Sequence, residues 1–517
     1  MSDDHHDDDD HHDDHPAAPQ AASAPKQRSS DPLIPRASQA KASLSAPGSA
    51  PLPDTYGAFT LRLAASVAAA CCSAFIYGYN IGVISNAQFP LEREFPILYN
   101  DFEWSVCVSI FCIGGLIGAL GASWPVERIG RKPTLMLNAV IYFLGGGLLA
   151  FATSWGMIAA GRFFVGIASG VGTLVVPMYI QENAPLRLVG ALGTLNQLAI
   201  TVGILVAEVL GISSILGTDS GWPWLLGMVV FPAAATSLSL FFLDDTPAYL
   251  FSKGNSEAAR AVLTKLRGRG VDIGPEALEI AHEVETARAM VQPPFLDLFK
   301  PAVSRQVFVG VGLQLAQQLT GINAVFSFST EIFEDAGVDD SDMITCVLGA
   351  INVILTIVAV GLLIRFGRRT LLIVGFSGMT VAYLLLSISY IYMHDVSNLS
   401  YLSIVSTIMT VLFFAIGPGP VPWIVIAEIF PMEYKSNAMS LSVVINWLAN
   451  FVVMVTFRFL KSGLDSYVFL PYMFLAAIFT AFVWFFVIET KNRTIDEVTS
   501  EFKKATSPKA RRESTRV

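Results

Sequence analysis

Gln314, Gln317 and Gln318 lie in the stretch Gln314–Phe328, QLAQQLTGINAVFSF. On a helix the three amides share one face, and Gly321 continues the stripe. Thr320 and Asn323 add polar groups nearby. The stretch sits in an apolar run from about 306 to 330, long enough for a bilayer crossing at about 20 residues. Uncharged amides are costly there unless they meet a partner or a water-filled cavity. Amides both donate and accept, so the chemistry they suit is recognition of a neutral, hydroxyl-rich solute. The competing reading is adhesion between helices, which amides and small residues also provide. Two adjacent amides with Asn323 little more than a turn on favour a binding route. No His/Cys metal set and no nucleophile–base arrangement is found, so no catalytic residue, metal, cofactor or nucleic-acid partner is expected.

The elements that carry this stripe are membrane helices. The chain has 517 residues, is 53% hydrophobic and only 15% charged, against about 25% charge in a soluble domain. Residues 3–14 contain eight of the 42 acids, so the body of the chain is nearly neutral. Residues 1–56 read as a disordered acidic, Pro/Ala/Ser-rich tail that holds five of the seven histidines; a solvated tail is favoured over a loose metal site. The five cysteines lie in or beside apolar runs and read as packing residues. Twelve apolar spans are expected near 60–85, 104–123, 133–152, 157–180, 190–212, 224–243, 306–330, 343–364, 371–393, 402–427, 438–460 and 468–488. Basic residues fill the loops after the second, sixth and eighth spans and the C-terminal tail. The loop after the seventh carries only acids, among them Glu331, Asp335, Asp339 and Asp342. The charge bias puts both termini in the cytoplasm. Arg93, Arg458 and Lys461 are exceptions to it.

The long loop 244–303, with amphipathic pieces from Ser256 and from Pro275, divides the spans six and six. The domains are then 57–243 and 304–490 as two halves, 244–303 as a linker of cytoplasmic helices, and 491–517 as a basic cytoplasmic tail. The halves echo each other. Val126-Glu-Arg-Ile-Gly-Arg-Lys recurs as Leu363-Ile-Arg-Phe-Gly-Arg-Arg, and both fourth spans end in Pro then an acid, Glu182 and Glu428. Parallel six-helix repeats suit a rocking transporter with its site between the halves at mid-membrane, better than a channel with a filter ring.

These motifs resemble the sugar-porter branch of the major facilitator superfamily, specifically the facilitative (GLUT-type) hexose transporters. The likeness runs from about Tyr77 to Val498. It rests on Tyr77-Gly-Tyr-Asn-Ile-Gly-Val-Ile, Arg128-Ile-Gly-Arg-Lys, Gly161-Arg-Phe-Phe-Val-Gly, Val176-Pro-Met-Tyr-Ile-Gln-Glu, Gly193-Thr-Leu-Asn-Gln-Leu, Gln317-Gln-Leu-Thr-Gly-Ile-Asn, Arg365-Phe-Gly-Arg-Arg, Gly417-Pro-Gly-Pro-Val-Pro-Trp and Glu489-Thr-Lys, in order and at matching spacing. The fold it implies is all-α and polytopic: twelve transmembrane helices in two pseudo-symmetric halves. It implies a sugar site formed by Gln197, Gln317, Gln318, Asn323, Asn352, Trp423, Asn446 and Trp447. Amides suit sugar hydroxyls, and an indole suits the flat CH face; for Trp423 and Trp447 interfacial packing is the alternative. Arg128, Arg131 and Glu182, with Arg365, Arg368, Arg369 and Glu428, resemble the charge set that latches the outward-open state.

Proton-driven relatives carry Asp where this chain has Asn80, while the partner arginine, Arg162, is retained. The resemblance therefore implies uniport of a hexose, with glucose the expected sugar; a proton–sugar symporter and a non-transporting sugar sensor are the alternatives. Glu208, late in the fifth span, has no assigned role. Departures from the family pattern are Asp244-Asp-Thr-Pro-Ala248, Ala415, Ile364, Val189 and Asn492. Most remove a charged member of the latch, so a weaker bias to the outward-open state is expected. Ala316 replaces the serine typical of glucose-selective members and leaves fructose open. Asn398-Leu-Ser fits an external glycan acceptor. A plasma-membrane monomer is expected.

Overall fold

The computed structural model describes residues 59–504, apart from 269, 291–292, 302, 338–339, 394–398 and 494. The acidic tail 1–56, Asp339, Asn398 and the basic tail from 505 lie outside the described residues, as do the expectations placed on them.

Regular structure among the described residues is helical throughout. Ten helices are long and apolar enough to cross a membrane: Leu61–Glu94, Asp101–Arg128, Arg131–Ala150, Trp155–Asn183, Val189–Leu210, Trp222–Phe241, Ser341–Arg365, Arg368–Tyr392, Leu399–Ile429 and Met432–Tyr467. They match ten of the expected spans. The twelfth, Leu470–Phe486, is apolar but shorter.

The seventh departs from expectation. Hydropathy predicts one span over 306–330, but three pieces form: Ser304–Leu319, Ile322–Ser327 and Ser329–Asp335. Gly321 sits at φ +81°, the left-handed region that only glycine enters cheaply. A Cβ there would also come within 2.5 Å of the Tyr472 ring. The backbone freed by the break is satisfied by side chains, as a membrane interior requires: Tyr383 Oη donates to the Thr320 carbonyl at 2.5 Å. Gly321 therefore ends the amide face rather than continuing it. The tenth span breaks similarly at Gly417–Pro420, between Leu399–Ile416 and Val421–Ile429.

Small residues set the packing within each half. A Cβ at Gly78 of the first span would lie 1.9 Å from the Ile200 carbonyl oxygen of the fifth. One at Gly118 of the second would lie 2.0 Å from the Ile167 carbonyl of the fourth. Backbones approach this closely only without side chains between them. The linker forms Ser256–Arg267 and Gly274–Ala289. Buried Arg267 fastens it, donating to Glu276 at 2.6–3.1 Å and to the Asn183 carbonyl, at the end of the fourth span, at 2.8 Å.

The polar bridges seen between the halves sit at the end remote from the linker. Thr330 Oγ1 donates to Asn86 Oδ1 at 2.6 Å, and the Ser213 N–H donates to Asp342 at 2.8 Å. In mid-bundle, Trp447 of the eleventh span packs on Tyr77 and Phe111 of the other half, with ring centroids 5.9 and 6.0 Å apart. The two halves therefore meet at the end remote from the linker and in mid-bundle.

Candidate functional site

The break at Gly321 places the amides in a cluster. Asn446 of the eleventh span donates to Gln314 Oε1 and Gln317 Oε1, both at 2.6 Å. Gln318 Nε2 donates to Asn446 Oδ1 at 3.1 Å. Asn323, just past the break, donates to Gln318 Oε1 at 2.7 Å. Gln317 Nε2 reaches the Pro418 and Gly419 carbonyls, freed by the tenth-span break, at 3.1 and 2.6 Å. Gln314, Gln317, Gln318 and Asn446 are buried, and Asn323 is half-buried. Gln314 Nε2 is buried and without a partner. An uncharged cluster that holds one donor unmet, beside carbonyls at a helix break, can exchange its internal bonds for those of a polyol at little net cost.

The structure thus joins four of the sequence-predicted ligands, Gln317, Gln318, Asn323 and Asn446. It adds Gln314, which the sequence placed on the stripe without a ligand role; its spacing from Gln317 and Gln318 was the signal. Asn352 is buried on the eighth span but lies outside this network. Trp423 is half-buried on Val421–Ile429. Trp447 is buried and turned to the other half, where a Cβ on Gly115 would meet its ring at 2.3 Å. Gln197, on the fifth span in the other half, is exposed and is not joined to this cluster.

Asn80 and Arg162 are both buried. Arg162 Nη1 donates to the Asn80 backbone carbonyl at 2.8 Å, and its guanidinium lies 4.7 Å from the Phe111 ring centroid. The contact is to main chain, so it needs no acid on the first span.

At the linker end the two halves repeat one constellation. Arg131 pairs with Glu182 at 2.6 Å, and Arg368 with Glu428 at 3.0 Å. Thr246 Oγ1 donates to Glu182 at 2.5 Å, as Thr490 Oγ1 does to Glu428 at 2.5 Å. Asp245 accepts from the N–H groups of Arg131 and Lys132 at 3.2 and 3.1 Å; Glu489 accepts from those of Arg368 and Arg369 at 2.8 and 3.2 Å. An acid at a helix N-terminus meets unpaired N–H groups and the positive end of the helix dipole. The matching roles of Asp245-Thr246 and Glu489-Thr490 go beyond the sequence motifs given above; their signal in the chain is an acid-Thr dipeptide after the last span of each half. Arg128 and Arg365 are exposed at the ends of their spans, and Arg369 donates to the Trp484 carbonyl at 2.6 Å. Burial raises the Asp245 carboxyl above its ordinary range despite its N–H donors. Burial also acts on Asp244, but the hydrogen bonds from Lys265 and Arg62 outweigh it and hold that carboxyl low. In this state the pairs Arg131–Glu182 and Arg368–Glu428 each close within one half.

Glu208 lies in the seam between the fifth and eighth spans. It is fully buried, and neither carboxyl oxygen has a partner; a Cβ on Gly349 would lie 1.8 Å from Oε2. Its backbone carbonyl accepts from Asn86 Nδ2 at 2.9 Å. Burying a polar group without hydrogen bonds costs about 1–3 kcal/mol in proteins. Glu208→Leu is therefore expected to raise the melting temperature by a few degrees in a thermal-shift assay; a lower melting temperature would mean that the carboxyl is held by partners.

The sugar (and other) transporter family model matches residues 65–502. The chain is 38% identical over 461 residues to facilitated glucose transporter member 1 of Gallus gallus, covering 86% of this chain and 94% of that protein. It is 37% identical over 469 residues to facilitated glucose transporter member 4 of Homo sapiens, covering 87% and 92%. Among solved structures it resembles the xylose transporter of E. coli in a partially occluded inward-open conformation, with TM-score 0.73, 27% identity, and coverage of 84% of this chain and 100% of that one. The proton:xylose symporter bound to 6-bromo-6-deoxy-D-glucose gives TM-score 0.70 at 27% identity, covering 86% and 100%. On this match across most of its length, the chain belongs to the sugar transporter family.

Proposed function

We propose that the protein is a facilitative carrier that moves a hexose, with glucose as the principal sugar, by alternating access. The observation that carries this is the uncharged cluster of Gln314, Gln317, Gln318, Asn323 and Asn446 at the broken seventh span. It supplies donors and acceptors for hydroxyls and no fixed charge. Similarity to proteins named as facilitated glucose transporters supports the same reading. Gln197 would close the site from the first half, and Asn352 and Trp423 would complete it as the halves rock. The linker-end constellations, Arg131–Glu182 and Arg368–Glu428, would exchange partners between the halves in the opposite state, with Arg128, Arg365 and Arg369 as further members. Counting the broken seventh span and the short twelfth gives twelve crossings in two halves, with the linker and both termini cytoplasmic. The protein acts as a monomer in the plasma membrane and catalyses no reaction; fructose is a second candidate sugar.

A proton-coupled symporter is the competing reading, since one structural neighbour is a proton:xylose symporter. Asn80 cannot take and release a proton, and Arg162 meets only its carbonyl. Uptake into proteoliposomes carrying an internal pH dye is therefore expected to leave the pH unchanged and to be indifferent to a protonophore. Internal acidification tied to sugar entry would establish the symporter instead. Binding of sugar without exchange of any would establish a sensor.

A further inference from the structure

Arg458 and Lys461 stand near the far end of the eleventh span, where the charge bias of the other loops disfavours cations. The structure gives each of them two acids. Arg458 Nη1 lies 2.8 Å from Glu92 Oε1, and its Nε 2.9 Å from Asp101 Oδ1. Glu92 closes the first span and Asp101 opens the second, so Arg458 joins the two halves. Its guanidinium also lies 5.9 Å from the Trp104 ring centroid, and the neighbouring Ser462 hydroxyl donates to Asp101. Lys461 Nζ is 2.5 Å from both Glu331 and Asp335. These belong to Ser329–Asp335, the last piece of the broken seventh span. That piece reaches the first span through Thr330 and Asn86.

We propose that Arg458, closing on Glu92 and Asp101, is an ionic bolt on the outer gate that favours the inward-facing state, and that Lys461 positions the seventh-span piece that shuts beside it. The proposal rests on the membrane orientation proposed above. Of the three groups in the bolt, Glu92 and Arg458 are the least exposed, at 5% and 13% side-chain exposure against 32% for Asp101. Charge-assisted bonds in such a seam are the strong kind. Removing one partner of a buried pair leaves the other charge unmet. The penalty falls on the closed state alone, because both groups meet water once the gate opens.

The test uses the full-length protein with Ser85→Cys as reporter. Ser85 is fully buried at the far-side seam, 3.4 Å from Ser329 and Thr330, and should react with an external impermeant maleimide only when the gate opens. The parent protein sets the baseline from its five native cysteines. Arg458→Gln is expected to raise the labelling rate roughly tenfold, the shift that corresponds to about 1.4 kcal/mol. Glu92→Gln added to it should give no further rise, because the two act as one pair. Asp101→Asn, which removes the more exposed arm, should give a smaller rise. Arg93→Gln should give none: its exposed pair with Asp219 stays within one half. Labelling unchanged by both Arg458→Gln and Asp101→Asn would overturn the bolt, as would additive effects of Glu92→Gln and Arg458→Gln. The labelling needs no sugar, so a failure of transport and a failure of the bolt are read separately.

Discussion

Gln318→Ala is expected to weaken glucose binding by roughly five- to a hundredfold, as loss of hydrogen bonds worth about 1–3 kcal/mol would give. Gln318 sits at the centre of the cluster. Its Nε2 donates to Asn446 and its Oε1 accepts from Asn323. Truncation removes a donor and an acceptor for sugar hydroxyls and releases Asn323 from its orientation across the Gly321 break. The helix itself should persist, because Ala is the best helix former and the break is fixed by Gly321 and Tyr383. Binding measured on purified protein, with the melting temperature as a folding control, checks this. Unchanged affinity with intact folding would remove the cluster from the site.

Gly115→Val is expected to stop transport, lowering exchange by tenfold or more, while leaving sugar binding in place. Gly115 faces Trp447, and a Cβ there would sit 2.3 Å from the indole. The ring has little room to step aside, because it is buried and packs against Tyr77 and Phe111 at centroid distances of 5.9 and 6.0 Å. Overpacking of this kind costs about 1–3 kcal/mol or more. It falls on the one state in which the second and eleventh spans press together across the halves. The variant should accumulate with its far side open, so far-side labelling at Ser85→Cys should rise as exchange falls. Normal exchange rates would mean that the Trp447 contact is not part of the cycle.

Much of the architecture was legible because its signals are local. Apolar runs, the charge alternation of the loops and the repeated Gly-Arg motifs each fit within one or two turns of chain, and ten long spans appear where they were expected. The amide cluster was legible in part. Gln317 and Gln318 declared themselves by polarity inside an apolar run, and Asn446 came with the resemblance. The break at Gly321 was not read, because a glycine within a hydrophobic stretch looks the same whether it packs or turns. Only the Tyr472 ring and the Tyr383 hydrogen bond, supplied from other spans, make it a turn. Arg458 and Lys461 appeared as anomalies of loop charge, since their acids lie on three other segments and 126 to 366 residues away in sequence. The exposure of Gln197 and the position of Asn352 outside the network follow from how whole helices are disposed, which no local pattern of residues states. The linker-end charges were readable by identity, while the pairing of Arg131 with Glu182 and of Arg368 with Glu428 joins residues 51 and 60 apart in sequence.

Glucose counterflow is the decisive measurement for a facilitative carrier. Purified protein in liposomes preloaded with unlabelled glucose is given external labelled glucose, with no pH gradient and no membrane potential. A transient accumulation of label that survives a protonophore and is lost in Gln318→Ala is expected. Absence of any overshoot for glucose or fructose, from protein that is folded and inserted, would contradict it.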